Sequence, residues 1–431
     1  MKFFINLILI LLLFNNAIAE NHLNFFINSA LKNNLKLNAE RKNQKSIKQN
    51  INISRSEFLP SISLSGDQSS SQSTNRINQS GSSLSDTNRD TETTTVSIDQ
   101  KIFQGFKGYN SLKKSELEVK RADFKLKQTE QQTILDAISA YFDLIFKTKN
   151  EEFNLSNVNL FERQVESDSA RLQKGEITLT DLAQSESSLA GANANLIKAK
   201  TELLASKTNF ERVIREKAPS SINMNEKVGI ELPNTLQSCI NIAKSNNADL
   251  LIAKLDYQIA EKELSIEKAK LSPSASINYS KSENKDYSST IDELDQETVK
   301  ATVTWPLIKG GENISSIKKS SLKKQRSLLL SEDAENRVIT EISNAWSKYQ
   351  SSESVLIATE AQLKAAEIAN EGITLEYDSG NTRTTLELIQ SRSLLLDARI
   401  AFAKAERDFI ISKFELAFQL GTLSSSAIKV L

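Results

Sequence analysis

The side chains that most often carry chemistry are scarce in this sequence. Its 431 residues include one cysteine, Cys239, and one histidine, His22. A single thiol makes no internal disulfide, and a single imidazole builds no histidine-based metal site. No phosphate-cradling glycine loop, nucleophile elbow or metal-ligand spacing is present. The sequence therefore carries no enzyme signature, and no cofactor is expected. What remains is pairing between acids and bases, 54 of each. A carboxylate and a guanidinium form charge-assisted, two-pronged hydrogen bonds, which fasten surfaces together without covalent change. Such groups collect beside two glycines: Thr180-Asp181 after Gly175, and Tyr377, Arg383, Glu387 and Gln390 around Gly380. On spacing alone, Asp181 and Arg383 read as solvated helix charges, and Glu387 as the flank of an apolar seam. Zero net charge argues against nucleic acid as the main partner, because phosphate binding draws on excess Lys and Arg.

The elements that hold these residues are long helices, and they occur twice. Leu388, Leu395, Phe402, Phe409 and Leu416 recur every seventh residue, with Ser391, Ala398, Ala405 and Ser412 spaced between them. Leu182, Leu189, Leu196, Leu203 and Phe210, with Ser185, Ala192, Ala199 and Ser206, give the same pattern 206 residues earlier. A strict seven-residue repeat specifies helices that pack closely on neighbours. Gly175 and Gly380 differ by 205 and mark two hairpin tips; Asn381 is the extra residue that moves the offset to 206. Only 12 glycines and 5 prolines punctuate the chain, which fits long helices.

The sequence divides as follows. Residues 1–19 read as a secretory signal: Lys2, an apolar run from Phe3 to Phe14, and Ala17-Ile18-Ala19 as the site of cleavage before Glu20. Residues 20–218 form a first repeat, with a helix, a strand pair at about 60–104 and a helical hairpin at about 107–215. Residues 219–237, with Pro219 and Pro233, link the halves. Residues 238–421 form a second repeat, with strands at about 273–308 and a hairpin at about 312–420, and 422–431 are a tail. Pro60 and Pro273 each stop a helix and start an extended segment. Ser61-Ile62-Ser63-Leu64-Ser65 and Ala275-Ser276-Ile277-Asn278-Tyr279 then alternate polar and apolar, as do Val96-Ile98 and Val299-Ala301-Val303-Trp305. The polar stretches Gln68–Thr94 and Lys281–Glu297 read as solvated loops. Strands of about ten residues suit a tilted membrane crossing, and no later apolar run is long enough for a spanning helix. Four strands are too few to close a barrel.

Two strand pairs, each leading into a very long helical hairpin, predict an oligomeric tube whose apolar seams are hidden only between copies. A structural coiled-coil stalk and a periplasmic adaptor are the competing readings. The stalk predicts no strands, and an adaptor usually places one hairpin inside a small β domain.

The residues resemble the TolC family of outer-membrane efflux proteins. The resemblance is carried by Leu59-Pro60 and Ser272-Pro273, Gly105 and Gly310, the tips Gly175 and Gly380, Thr180-Asp181, Tyr377 and Thr382-Arg383, in that twofold order. It implies a mainly α fold with transmembrane β: an internally duplicated protomer whose homotrimer joins a 12-strand β-barrel to a 12-helix periplasmic α-barrel. It also implies outer-membrane lipid around the barrel, a periplasmic adaptor (membrane fusion) protein, and an inner-membrane pump of RND, ABC or MFS type. The implied function is a passive exit duct for efflux or type I secretion in a Gram-negative outer membrane. At the mouth, the resemblance implies a gate latch in which Tyr377 and Arg383 bond Asp181, beside Thr180. It further implies a constriction ring at Glu387, with Gln390 standing where the family often has a second carboxylate. The tips Gly175 and Gly380 are implied adaptor contacts.

Overall fold

The structure is a computed structural model that describes residues 22–219, 222–224, 228–288, 290–379 and 383–430. The expected signal segment and Gly380 lie outside the described residues. The chain is mainly helical with one principal sheet. Two short helices come first, α1 (His22–Asn33) and α2 (Leu35–Ser56), then strands β1 (Ser61–Ser73), β2 (Arg76–Ile77), β3 (Ser83–Leu84) and β4 (Thr87–Gln104). Helices α3 (Lys107–Gln173) and α4 (Leu179–Ile214) complete the first half. After β5 (Val228–Gly229) come α5 (Leu236–Asn246), α6 (Ala248–Ala269), β6 (Ser274–Lys285), β7 (Glu293–Thr304), α7 (Glu312–Asp378), α8 (Thr385–Gln419) and β8 (Lys429–Val430). At about 1.5 Å per residue, α3 and α7, 67 residues each, run about 100 Å. No helix among the described residues is long and apolar enough to cross a membrane.

The chain forms two compact units. One comprises Asn43–Asp123 and Ile252–Glu332 and contains the sheet. Its four strands are antiparallel in the order β1-β4-β6-β7, so β1 and β7 are free edges. Directly opposed residues share a face: Leu64 with Val96, Ile62 with Ile98, Ile98 with Tyr279, and Tyr279 with Val299. That face is apolar, and its Ile62, Leu64, Val299 and Val303 are all more than 70% exposed. The other face carries Ser61, Ser63, Asp99, Asn278 and Lys300. The strands reach further than the alternation indicates. Ser69 pairs with Thr91 and Asn284 with Leu294, so much of both expected loops is ladder. Backbone hydrogen bonds and threonine's fit to a pleated surface hold these polar stretches together without an apolar face. The turn after β4 requires Gly105, at φ +60°: a Cβ there would collide with Ser272 and lie 2.7 Å from the Ala269 carbonyl.

In this unit the helices follow the strand order. Ser54 Oγ of α2 bonds Ser115 Oγ of α3 at 2.6 Å, Lys114 of α3 pairs with Glu263 of α6 at 2.8 Å, and Glu261 of α6 pairs with Lys324 of α7 at 3.0 Å.

The other unit comprises the chain up to Lys42, Phe124–Leu251 and Asp333 onward. Its main core gathers Phe26, Ile138, Tyr141, Phe210, Ile214 and Phe414, with Phe26 edge-on to Phe210 at 5.0 Å. A second core holds Cys239, Leu250, Val338, Ile342 and Leu416; Cys239 is fully buried there, and burial raises its thiol pKa. Asp143 of α3 pairs with Arg407 of α8 at 2.8 Å and accepts from Ser206 of α4 at 3.1 Å. β5 and β8 pair antiparallel, tying the inter-repeat segment to residues 429–430.

One expectation is corrected here. Much of the heptad seam is buried inside a single chain: Leu388, Leu395, Ala398, Ala405 and Leu416, and in the first half Ala192, Leu196, Ala199 and Phe210. The small members let neighbouring helices approach within the protomer. The apolar residues left exposed on this unit are a different set, including Ile197, Leu204, Val355, Ile357, Ile368 and Leu394.

Candidate functional site

The ends of the four long helices define the candidate site. α3 ends in a left-handed turn, with Gly175 at φ +76°. There the Gly175 N–H donates to Leu172 O and the Glu176 N–H to Arg171 O, both at 2.9 Å. Gly175 is exposed, and nothing lies near the position of an added Cβ. α4 then opens with a capping box, a reciprocal pair of side-chain bonds to orphan helical N–H groups. Thr178 Oγ1 accepts from the Asp181 N–H at 3.2 Å, and Asp181 Oδ2 accepts from the Thr178 N–H at 2.9 Å and the Thr178 hydroxyl at 2.7 Å. These bonds to Thr178 hold the Asp181 carboxyl below its usual range.

α8 opens the same way. Thr384 Oγ1 accepts from the Glu387 N–H at 3.2 Å, and Glu387 Oε2 accepts from the Thr384 N–H at 2.8 Å. Arg383 donates to Glu376 at 2.6 Å and to Glu387 at 3.1 Å. The Thr384 N–H first, then Arg383, lower the Glu387 pKa, while both carboxylates raise that of Arg383. Asp181 and Glu387 are thus the same position in the two repeats, the third helical residue, which closes a capping box.

Tyr377 is placed differently from the expectation. It is 5% exposed, and its Oη donates to Asp168 Oδ1 at 2.8 Å rather than to Asp181. Asp168 is wholly buried and accepts twice more, from Gln164 Nε2 at 2.9 Å and Ser185 Oγ at 2.5 Å. Gln164 Nε2 also reaches Tyr377 Oη at 3.1 Å, and Thr385 Oγ1 stands 3.3 Å from the same oxygen. Arg392 donates to Gln164 Oε1 at 3.1 Å, and burial lowers its pKa. The Arg171 guanidinium lies over the Tyr377 ring, 4.8 Å from its centroid. Burial is the largest effect on Tyr377 and raises its pKa.

One hydrogen-bonded cluster therefore joins α3 (Gln164, Asp168), α4 (Ser185), α7 (Tyr377) and α8 (Thr385, Arg392). A buried carboxylate is tolerated only when its oxygens are satisfied, and this one has donors from three helices. The arrangement fastens helix ends together. Thr180 and Gln390 are exposed nearby, and Arg383 is engaged by α7 and α8 of its own chain.

Sequence reasoning missed Asp168. With the 205-residue offset its counterpart in the second half is Ile373, so the duplication hides it. The signal available was Gln164, Asp168 and Arg171 at helical spacing on one face. The capping boxes were also legible, as Thr178-x-x-Asp181 and Thr384-x-x-Glu387.

Comparison with known proteins agrees with this architecture. The outer membrane efflux protein family pattern matches residues 26–214 and 239–422, one segment in each repeat. The chain is 24% identical over 398 residues to the outer membrane efflux protein BepC of Brucella suis, covering 92% of this chain and 84% of BepC. It is 23% identical over 381 residues to the outer membrane protein TolC of Vibrio cholerae, covering 87% and 84%. The solved outer membrane channel CmeC of Campylobacter jejuni superposes with a TM-score of 0.84 at 16% identity, over 94% of this chain and 88% of that one. Two matched segments spanning both repeats, in a chain with this fold, make it a member of the outer membrane efflux protein family.

Proposed function

We infer that the protein is an outer-membrane exit duct for efflux or type I secretion. The observation that carries this reading is the open sheet of a family member: four strands, two free edges, one exposed apolar face and one polar face. An open apolar sheet is stable in lipid only when its edges close. Three copies, joined β7 to β1, give the twelve-strand barrel, with the apolar face toward lipid and the polar face toward water. The helical hairpins of the three copies then form the periplasmic tube, and a periplasmic adaptor with an inner-membrane pump supplies cargo and motive force. Residues 1–19 act as the export signal, and 219–237 separate the two repeats.

At the mouth we assign two kinds of fastening. Inside each copy, Tyr377 on Asp168 fixes one hairpin to the other. Between copies, Thr180 and Asp181 face Arg383 of a neighbour, which exchanges its own-chain carboxylates for theirs when the mouth is shut. Glu387 supplies a threefold acidic ring that favours cations, and Gln390 leaves the adjacent ring uncharged. Gly175 and Gly380 present the tips to the adaptor.

The test is closure of the edges. In a Cys239→Ala background, Ser63→Cys on β1 is combined in turn with Lys300→Cys and Thr302→Cys on β7. Oxidation in membranes should give covalent trimers, and purified trimer should show a small, mostly closed conductance in planar bilayers. Monomers under every oxidising condition, with no current, overturn the reading.

A further inference from the structure

The two repeats differ in charge at the starts of their long helices, α3 and α7. On α3, Lys113 pairs with Glu116 at 2.9 Å, Lys114 with Glu118 at 3.6 Å, and Arg121 with Asp256 of α6 at 3.3 Å. At the 205-residue offset, the basic residues persist on α7 as Lys318, Lys319 and Arg326. The acids do not: Glu116 becomes Ser321 and Glu118 becomes Lys323. Between Glu312 and Glu332 there is no carboxylate at all. Lys324 pairs with Glu261, but among the described residues Lys318, Lys319, Lys323 and Arg326 have no acidic partner within 4.0 Å. All four are exposed.

This basic face continues an apolar one. Leaving β7, the chain exposes Trp305 (62%), Leu307 (75%), Ile308 (91%) and Ile314 (72%), and Leu322 (56%) stands among the cations. Trp305 is fixed by its Nε1, which donates to Leu271 O at 3.0 Å. An indole at a strand end, then aliphatic side chains, then unpaired cations about one to three helical turns further on, matches the layering of a lipid surface. Acyl chains give way to the headgroup level, where phosphates lie.

We propose that the start of α7 is a binding surface for the phosphate headgroup of an anionic phospholipid in the inner leaflet around the barrel. The proposal rests on the duct reading, because the sheet must lie in lipid. Lys318 and Lys319, about 9–10 Å beyond the helix start, reach the headgroup phosphates directly. Lys323 and Arg326 add attraction within about a Debye length. On α3 the matching Lys113, Lys114 and Arg121 are engaged by Glu116, Glu118 and Asp256. Lipid is therefore selected at one side of each copy.

The test uses the two tryptophans, Trp305 and Trp346. Trp346→Phe leaves Trp305 as the sole fluorophore. The full chain is reconstituted in vesicles containing brominated phosphatidylglycerol or brominated phosphatidylcholine, and quenching of Trp305 is measured. Brominated phosphatidylglycerol should quench at a mole fraction at least about fivefold lower, the effect of a single cation at a charged surface. High salt should abolish the difference. Ser321→Glu with Lys323→Glu restores to α7 the pairing seen on α3, keeps a good helix, and should remove the preference; Lys319→Gln with Arg326→Gln should weaken it. Equal quenching by both lipids in the parent overturns the proposal, as does no quenching by either, or a preference that survives both double variants. If the variants alter the trimer's dissociation temperature and leave lipid preference unchanged, the face is a contact between copies and the proposal also fails. Conductance of the same vesicles separates the two readings: current without lipid preference rejects only this inference, and preference without current rejects the duct.

Discussion

Tyr377 and Asp168 are 209 residues apart in sequence and 2.8 Å apart in space, and their bond ties the end of α7 to the end of α3. Neither residue has a chemical equivalent at the matching position of the other repeat, where Leu172 and Ile373 stand. The duplicated framework thus holds an unduplicated fastening at its helix ends.

That bond should govern the resting state. Tyr377→Phe removes one donor to a buried carboxylate, which costs about 1–3 kcal/mol. Asp168→Asn changes the same bond from the other side. Each is expected to raise single-channel conductance or open probability in planar bilayers. The double variant should add little to either single one, because both remove a shared interaction. Currents indistinguishable from the parent in all three would refute a gating role for the pair.

Asp181 with Arg383 gives a separate test, of contact between copies. Asp181→Ala combined with Arg383→Ala should also increase current, and the effect should add to that of Tyr377→Phe, since the two fastenings share no residue. If the pair of alanines leaves conductance as it was, the contact between copies is not a latch.

The capping boxes predict a pH dependence. Asp181 and Glu387 have folded pKa values below their ordinary ones. Their contribution to the helix starts is therefore present above the usual carboxylate range and is lost as pH falls through the depressed values. Amide exchange in the first turns of α4 and α8, compared as rate constants corrected for intrinsic exchange, should show lost protection on acidification below about pH 4. Thr178→Ala should cause the same fraying at neutral pH, with a cost of about 1 kcal/mol. Protection unchanged in acid would mean that the caps do not depend on charge.

Gln390 predicts weak cation block. With Glu387 alone supplying acid, divalent cations should inhibit current modestly. Gln390→Asp should strengthen block by adding a second ring, and Glu387→Gln should weaken it. Titration of current with a divalent salt checks both directions; block of equal strength in all three proteins would place these residues off the conduction path.

Gly105 and Gly175 should respond differently to alanine. Both have positive φ, but only at Gly105 does the new Cβ meet backbone and side chain. Gly175→Ala should cost about 1 kcal/mol, the strain alone. Gly105→Ala should lower the yield of membrane-inserted protein, read by fractionation and thermal dissociation. Equal tolerance at both sites would contradict the close approach to Ser272.

Much of the framework could be read from residue order. Strands begin directly after Pro60 and directly after Pro273, and the long helices run unbroken through stretches with few glycines. The seven-residue seam correctly marks close packing, but periodicity cannot say whether the partner helix belongs to the same chain. Leu388 and Leu416 find theirs within it. The outer parts of β1 and β4 were illegible because serine and threonine there present no apolar face to alternate. At the helix ends, Tyr377 and Arg383 were visible as types. Glu387, four residues after Arg383, was legible as a local pair, whereas Asp168 meets Tyr377 only through the convergence of separate helix ends.

The β5–β8 pairing has a consequence for how the protein comes into being. The sheet unit needs nothing beyond Glu332, whereas the other unit takes in three separate stretches and is stitched by residues 429–430. A chain exported from its amino end delivers the whole sheet while the helical unit still lacks Asp333 onward. On the duct reading, the strand edges are complete before the helical body is, so pairing between copies can begin before each helical unit has closed.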